Sequence, residues 1–174
     1  MRGDNVKNDN QTSWLVDVGY IVKASEHRFR LDYVKAEYFL QERYGLIRSY
    51  IFNGIDPAYG IPSGLQGFYD AMAQHGMHIR LQPMESGPPG TNRQRRVDVD
   101  LCAHLIWQAA RSLGGTVVLS TGDQDFVPAV DLARQELGAR IVLFTYSVQV
   151  HHDLTNAVDE WIHFEDYSDQ LARQ

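Results

Sequence analysis

Over residues 114–144 the chain reads GGTVVLSTGDQDFVPAVDLARQELGARIVLF, a strand, a helix and a second strand. Val117, Val118 and Leu119 favour extended structure. The segment FVPAVDLARQELG carries Pro near a helix start and Gly at its stop, and RIVLFTYS is a second apolar run. Two strands joined by one helix are parallel neighbours with a right-handed crossover. The same alternation recurs upstream. WLVDVGYIV reads as one buried strand, and the helix DYVKAEYFLQERYG has Asp32 as N-cap and Gly45 as stop. Then come the strand LIRSYIFNG, the helix GLQGFYDAMAQHG, the strand HIRLQPM and the helix VDVDLCAHLIWQAARSLGG. Downstream, HHDLTNAVDEWIHFEDY has room for a short helix and a last short strand. The expected fold class is α/β, a three-layer sandwich around a central, mainly parallel sheet of about five strands. The expected layout is a disordered tail over 1–13, one domain over 14–167 and a tail over 168–174, with a Pro/Gly-rich loop over 85–96.

Composition narrows the function. With one cysteine, Cys102, the 174-residue chain makes no internal disulfide and no cysteine zinc site. No apolar run approaches membrane-span length, and a cytoplasmic location is the expectation. A net charge of −6 argues against a broad basic surface, but leaves nucleic acid open as a partner through a local patch or through ions between carboxylate and phosphate.

Four aspartates point to that second route. In parallel sheets, ligands bind beyond the carboxyl ends of strands, where strand order reverses. Asp123 and Asp125 lie just past such an end, and Asp17 lies inside the first apolar strand. On a helical wheel Asp98 sits amid Leu101, Cys102, Leu105, Ala109 and Leu113, all within about 60° of it, whereas Asp100 points nearly opposite, toward solvent. Asp98 either caps its helix or faces a cation shared with the other three. Capping does not account for Asp17. Oxygen-only ligand sets suit Mg²⁺ or Mn²⁺, and such ions between carboxylates and phosphates promote phosphodiester hydrolysis.

Plainer readings exist for each residue singly. One Asp after a strand is usually a turn or cap, and GDQD alone is a weak motif. His151 and His152 read as a solvated pair. Tyr33, Tyr38, Phe39, Phe68, Tyr69 and Trp107 read as core. Arg93, Arg95 and Arg96 stand just before Asp98, where a phosphate contact and a solubilised loop are equally good accounts. No GxxxxGK[ST], no GxGxxG after a strand and no GxSxG occurs.

From Trp14 to Phe164 the chain resembles the NYN domains, the PIN-like nuclease group that includes the LabA-like proteins of bacteria. STGDQDFVPAVDLARQELGARIVLF is similar to the family's strand, S-G-D-S-D-F, helix and strand. RRVDVDLCAHLI is similar to its V-D-V helix, WLVDVGYIV to its first-strand Asp segment, and HHDLTNAVDEWIHF to its ending. The resemblance implies a bacterial, metal-dependent ribonuclease, expected to act as an endoribonuclease. Asp17, Asp98, Asp123 and Asp125 would bind Mg²⁺ or Mn²⁺ and act on single-stranded or structured RNA; homo-oligomerisation is left open. Three positions depart from the family pattern. Tyr20 stands where Asn is common, His104 where another Asp is common, and Thr121 separates Ser120 from Gly122. His104 is expected as a catalytic group that positions water or moves a proton. Tyr20 joins Arg93, Arg95 and Arg96 as an RNA contact. The alternative is a catalytically lapsed NYN fold that binds RNA or a protein.

Overall fold

The computed structural model describes residues 12–45, 47–85, 95–112 and 114–174. Residues 1–11 of the expected tail, residues 86–94 of the Pro/Gly-rich loop, which include Arg93, and Leu113 lie outside the described residues. Six strands form one sheet: β1 (Thr12–Asp17), β2 (Ile47–Ile55), β3 (His78–Pro83), β4 (Thr116–Ser120), β5 (Arg140–Thr145) and β6 (Glu160–His163). Their order is β3-β2-β1-β4-β5-β6 and every pairing is parallel. The sixth is the last short strand for which HHDLTNAVDEWIHFEDY has room, beside the five longer apolar runs. Its last pairing sets Phe144 beside Ile162 and Thr145 beside His163.

Helices cover both faces: α1 (Val18–Ala24), α2 (Tyr33–Tyr44), α3 (Ser63–Gln74), α4 (Arg95–Arg111), α5 (Val127–Gln135), α6 (His152–Ala157) and α7 (Ser168–Leu171). The strand pleat sorts the core between the faces. Trp14, Val16, Val118 and Phe144 pack with α1 and α2. Leu15, Val117, Leu119 and Leu143 pack with α4 and α5. On α4 the buried line is Val97, Leu101, Leu105, Gln108 and Ala109, with Asp98 half-buried at its edge.

Sequence and structure part company at four places. The run WLVDVGYIV is not one strand: β1 ends at Asp17 and α1 begins at Val18. The Asp17 carboxylate accepts the Tyr20 N–H at 3.1 Å, which satisfies an amide that opens the helix. Thr12 and Ser13, assigned to the tail, are buried in β1, where Ser13 donates to Gln108 of α4 at 3.0 Å. Residues 168–174 are not a loose tail, since α7 buries Leu171 completely and Ala172 bridges Leu31. Tyr38 and Trp107, read as core, are 54% and 59% exposed.

Candidate active site

The strand order reverses between β1 and β4: from β1 the chain moves to β2 and β3 on one side, and from β4 to β5 and β6 on the other. Val16 pairs with Ser120, so the residues that follow, Asp17 and the 121–125 turn, emerge side by side at the carboxyl edge. Asp17 is only 8% exposed, and pleat alternation places it on the Leu15 face, toward α4. One oxygen caps α1, and the other accepts the Thr121 hydroxyl at 3.2 Å. Burial pushes this carboxyl up, against hydrogen bonds from Tyr20, Thr121 and Gly19, and the charge of Asp123 adds to the rise.

The turn after β4 is shaped by its own residues. Asp123 accepts the Asp125 N–H at 2.9 Å and opens the 3₁₀ turn Gln124–Phe126, which runs into α5. Phe126 is fully buried and anchors the turn, while Asp123 and Asp125 are exposed above it. On α4, burial raises the Asp98 carboxyl to about 6, with the charges of Asp17, Asp123 and Asp125 adding to the rise. Three of these four carboxylates also reach the Cys102 thiol. Burial, then Asp98, Asp123 and Asp125, push it up to about 11, so it stays protonated and is no nucleophile at neutral pH. Four carboxylates therefore act on one another electrostatically, from three elements.

Spacing bears on what they could hold. Among the described residues, the group whose ligand atoms lie within 4.8 Å of one another is His151, His152 and Asp153. Among the described residues, no three of the four aspartates bring their oxygens that close together. That suits Mg²⁺, commonly held by one or two carboxylates with waters and phosphate oxygens completing its shell, better than a closed protein cage. The histidine pair is exposed, as the sequence suggests, and works locally: His151 caps α6 by accepting the Asp153 N–H at 3.2 Å. Sequence reasoning missed a different role for this segment. The His151 N–H donates to the Gly122 carbonyl at 2.8 Å and fixes the turn that carries Asp123.

Two expected site residues are engaged elsewhere. Tyr20 is 7% exposed, and its hydroxyl lies 3.2 Å from the Tyr146 carbonyl and 3.1 Å from that of Val148. It is a brace beneath the Gly122 turn, not an RNA contact, because its polar atom and ring are both buried. His104 sits against the Tyr50 and Phe52 rings, with Nδ1 at 3.1 Å from an Asp100 carboxylate oxygen. Among the described residues, its ring contacts and ion pair are with Tyr50, Phe52 and Asp100, not with the four aspartates. Asp100 in turn does not face solvent, as the wheel suggested. Arg80 grips it through two hydrogen bonds and Gln82 through a third. Burial opposes its ionisation, but the Arg80 and Gln82 hydrogen bonds with the Arg80 and His104 charges outweigh that and hold it below the usual carboxylate range. Arg95 and Arg96 are exposed at the start of α4, one helical turn before Asp98.

Asp98 supplies a pH test. Its proton is held more tightly in the folded chain than in the unfolded one, where an Asp titrates near about 3.9. Its contribution to stability is thus fully present below that value and is lost as pH rises through about 6. In metal-free buffer, Asp98→Asn is expected to gain thermal stability relative to wild type progressively between about pH 4 and 7. Paired melting curves check this. A gap that does not change with pH would mean that neither burial nor the other three charges raise the Asp98 carboxyl.

The comparisons with known proteins agree with this architecture. The NYN domain family model matches residues 13–165. A crystal structure of a protein of unknown function from Vibrio parahaemolyticus superposes with a TM-score of 0.77, covering 98% of this chain and 99% of that one at 19% identity, and so shares the fold. No curated protein matches the chain.

Proposed function

Because the chain belongs to the NYN domain family, whose members are generally nucleases that bind RNA and typically use divalent metals, we propose that it is a divalent-metal-dependent ribonuclease. It hydrolyses phosphodiester bonds of single-stranded RNA at Asp17, Asp98, Asp123 and Asp125. The observation that carries this reading is Asp98, half-buried at the switch point and held up to about 6 by burial and by the charges of the other three. Clustered like charges need a cation to stay ionised together. The donor set is all oxygen, which fits Mg²⁺ or Mn²⁺, and Asp17, Asp98, Asp123 and Asp125 would hold it. A bound ion would polarise the phosphate and make hydroxide available at neutral pH.

The remaining steps belong to the chain. Asp17 is fixed by the Tyr20 N–H and the Thr121 hydroxyl, so it loses little freedom on binding. Asp123 and Asp125 stand exposed, where a strand laid across the sheet edge meets them. Arg95 and Arg96 steer phosphates to the same edge. His104 is left out of the reacting set because it packs against the Tyr50 and Phe52 rings with Nδ1 held by Asp100. That engagement is also what favours the rival reading, an NYN fold that binds RNA without cutting it.

The test uses an end-labelled single-stranded RNA with Mn²⁺ or EDTA, beside thermal melts in both. Cleavage is expected only with Mn²⁺. The melting temperature should rise by about 5–10 °C when Mn²⁺ stands about 100-fold above its Kd. RNA binding without Mn²⁺-dependent cleavage would establish the rival.

A further inference from the structure

We propose that the cavity between α1, the 25–32 loop, α2 and α3 is the groove through which a single-stranded RNA segment reaches the carboxylates. The proposal rests on the ribonuclease reading and adds the path of the substrate. The cavity encloses about 1230 Å³, above the roughly 300–1,000 Å³ of a small-molecule site, which suits an extended strand. Val18, next in sequence to Asp17, is one of its lining residues. The cavity, on the α1–α2 face, thus comes up to the carboxyl edge of the sheet, over which a strand would pass to reach the aspartates on the α4 side.

Its charge runs against that of the protein. Arg28, Arg30, Lys35 and Arg173 line it against only Glu26 and Asp32, in a chain of net charge −6. Asp32 is already spent on capping α2, where it accepts the Val34 and Lys35 N–H groups. Arg28 is paired with Glu165 at 3.3 Å, and the Lys35 ammonium donates to the Ala172 carbonyl at 2.9 Å. Arg30 and Arg173 are exposed, and among the described residues neither guanidinium is recorded in an ion pair or hydrogen bond.

Backbone pairing brings those two together. Leu31 and Ala172 form an antiparallel bridge, the Arg173 N–H donates to the Arg30 carbonyl at 2.8 Å, and the Asp32 N–H donates to the Leu171 carbonyl at 2.8 Å. Arg30 and Arg173 are thus directly opposite across the bridge, and both line the cavity. Like charges in that relation repel. An anion between them removes the repulsion, and a phosphodiester is the anion that the neighbouring carboxylate site acts on. The cavity floor adds a surface for bases. Tyr33 and Phe68 meet edge to face at 5.1 Å, and Tyr38 is 54% exposed at the rim. Phosphate contacts combined with aromatic faces are how single strands are held without sequence preference.

The test places Arg30→Glu and Arg173→Glu together on an Asp123→Asn background, so that RNA is not consumed. Binding of a fluorescent single-stranded oligoribonucleotide is measured against salt, and melts confirm that the fold is kept. The expected result is an affinity loss of tenfold or more. The slope of log K against log salt should become shallower by about 1.4, for two phosphate contacts at about 0.7 each on a single strand. A second pair, Arg30→Gln with Arg173→Gln, should give an intermediate loss. Unchanged affinity and slope in both pairs, while the wild-type protein still cuts RNA, would overturn the groove and leave the nuclease reading standing. A groove-dependent loss of binding in a protein that never cuts would uphold the groove and remove the nuclease. Binding of an acidic peptide that competes fully with the oligoribonucleotide and weakens equally in the variants would assign the groove to a protein partner and overturn the proposal.

Discussion

Asp123→Asn is expected to lower Mn²⁺-dependent cleavage of single-stranded RNA by a factor on the order of 10³, with little change in the melting temperature of the metal-free protein. The residue is exposed, so its replacement opens no cavity. Its structural duty is to accept the Asp125 N–H, and the amide oxygen of Asn performs that duty as well as a carboxylate does. What Asn lacks is the charge, and so the loss is confined to whatever the charge holds. Initial rates on a labelled RNA, with melts alongside, measure both quantities. A variant that cuts at nearly the wild-type rate would remove Asp123 from the chemistry. The Mn²⁺-induced rise in melting temperature should shrink in the same variant.

Gly122→Ala should act through shape instead. A Cβ at Gly122 would overlap the Gln149 carbonyl oxygen and stand 2.8 Å from Cε2 of the Tyr20 ring. Neither neighbour gives way easily. Gln149 is backbone at a positive φ of 56°, and the Tyr20 hydroxyl is bound to two carbonyls. Overpacking of this kind costs about 1–3 kcal/mol, equivalent to a fall of about 2–12 °C in melting temperature for a domain of this size. Relief by moving the turn would break the His151–Gly122 hydrogen bond and shift Asp123, so activity should fall further than stability alone explains. Gly67→Ala is the matched control. Gly67 lies inside α3 with nothing within 4 Å of an added Cβ, and the change should stabilise the helix by about 0.5–1 kcal/mol. Equal melting temperatures for wild type and Gly122→Ala would show that the 121–125 turn is not held by the 149–151 segment.

The sheet was legible because parallel strands buried on both faces leave continuous apolar runs, as in TVVLS and RIVLFT. The convergence of Asp17 and Asp123 was legible because strand order places ligand sites. The break inside WLVDVGYIV was not. Val18, Tyr20 and Ile21 suit a strand as well as a helix, and only the Asp17–Tyr20 cap decides between them. A wheel places Asp100 opposite Asp98, but it carries no information about β3, whose Arg80 and Gln82 cover that side. The roles of Tyr20 and His104 were hidden for the same reason. The Tyr20 partners, Tyr146 and Val148, and the rings of Tyr50 and Phe52 against His104 are remote in sequence, while Asp100, one helical turn from His104, reads on the wheel as facing solvent.

The clasp between residues 28–35 and 171–173 has a consequence in time. Lys35 and Ala172, which it joins, are 137 positions apart. At a synthesis rate of about 5–20 residues per second, the first emerges from a ribosome roughly 7–27 s before the second. Throughout that interval the entry to α2 has its own Asp32 cap but lacks the two long-range hydrogen bonds, from the Asp32 N–H to the Leu171 carbonyl and from the Arg173 N–H to the Arg30 carbonyl. The residues of the β1–β2 pairing, by contrast, have all been made once the chain reaches residue 55. The basic wall of the cavity is thus the part whose backbone partners are completed last.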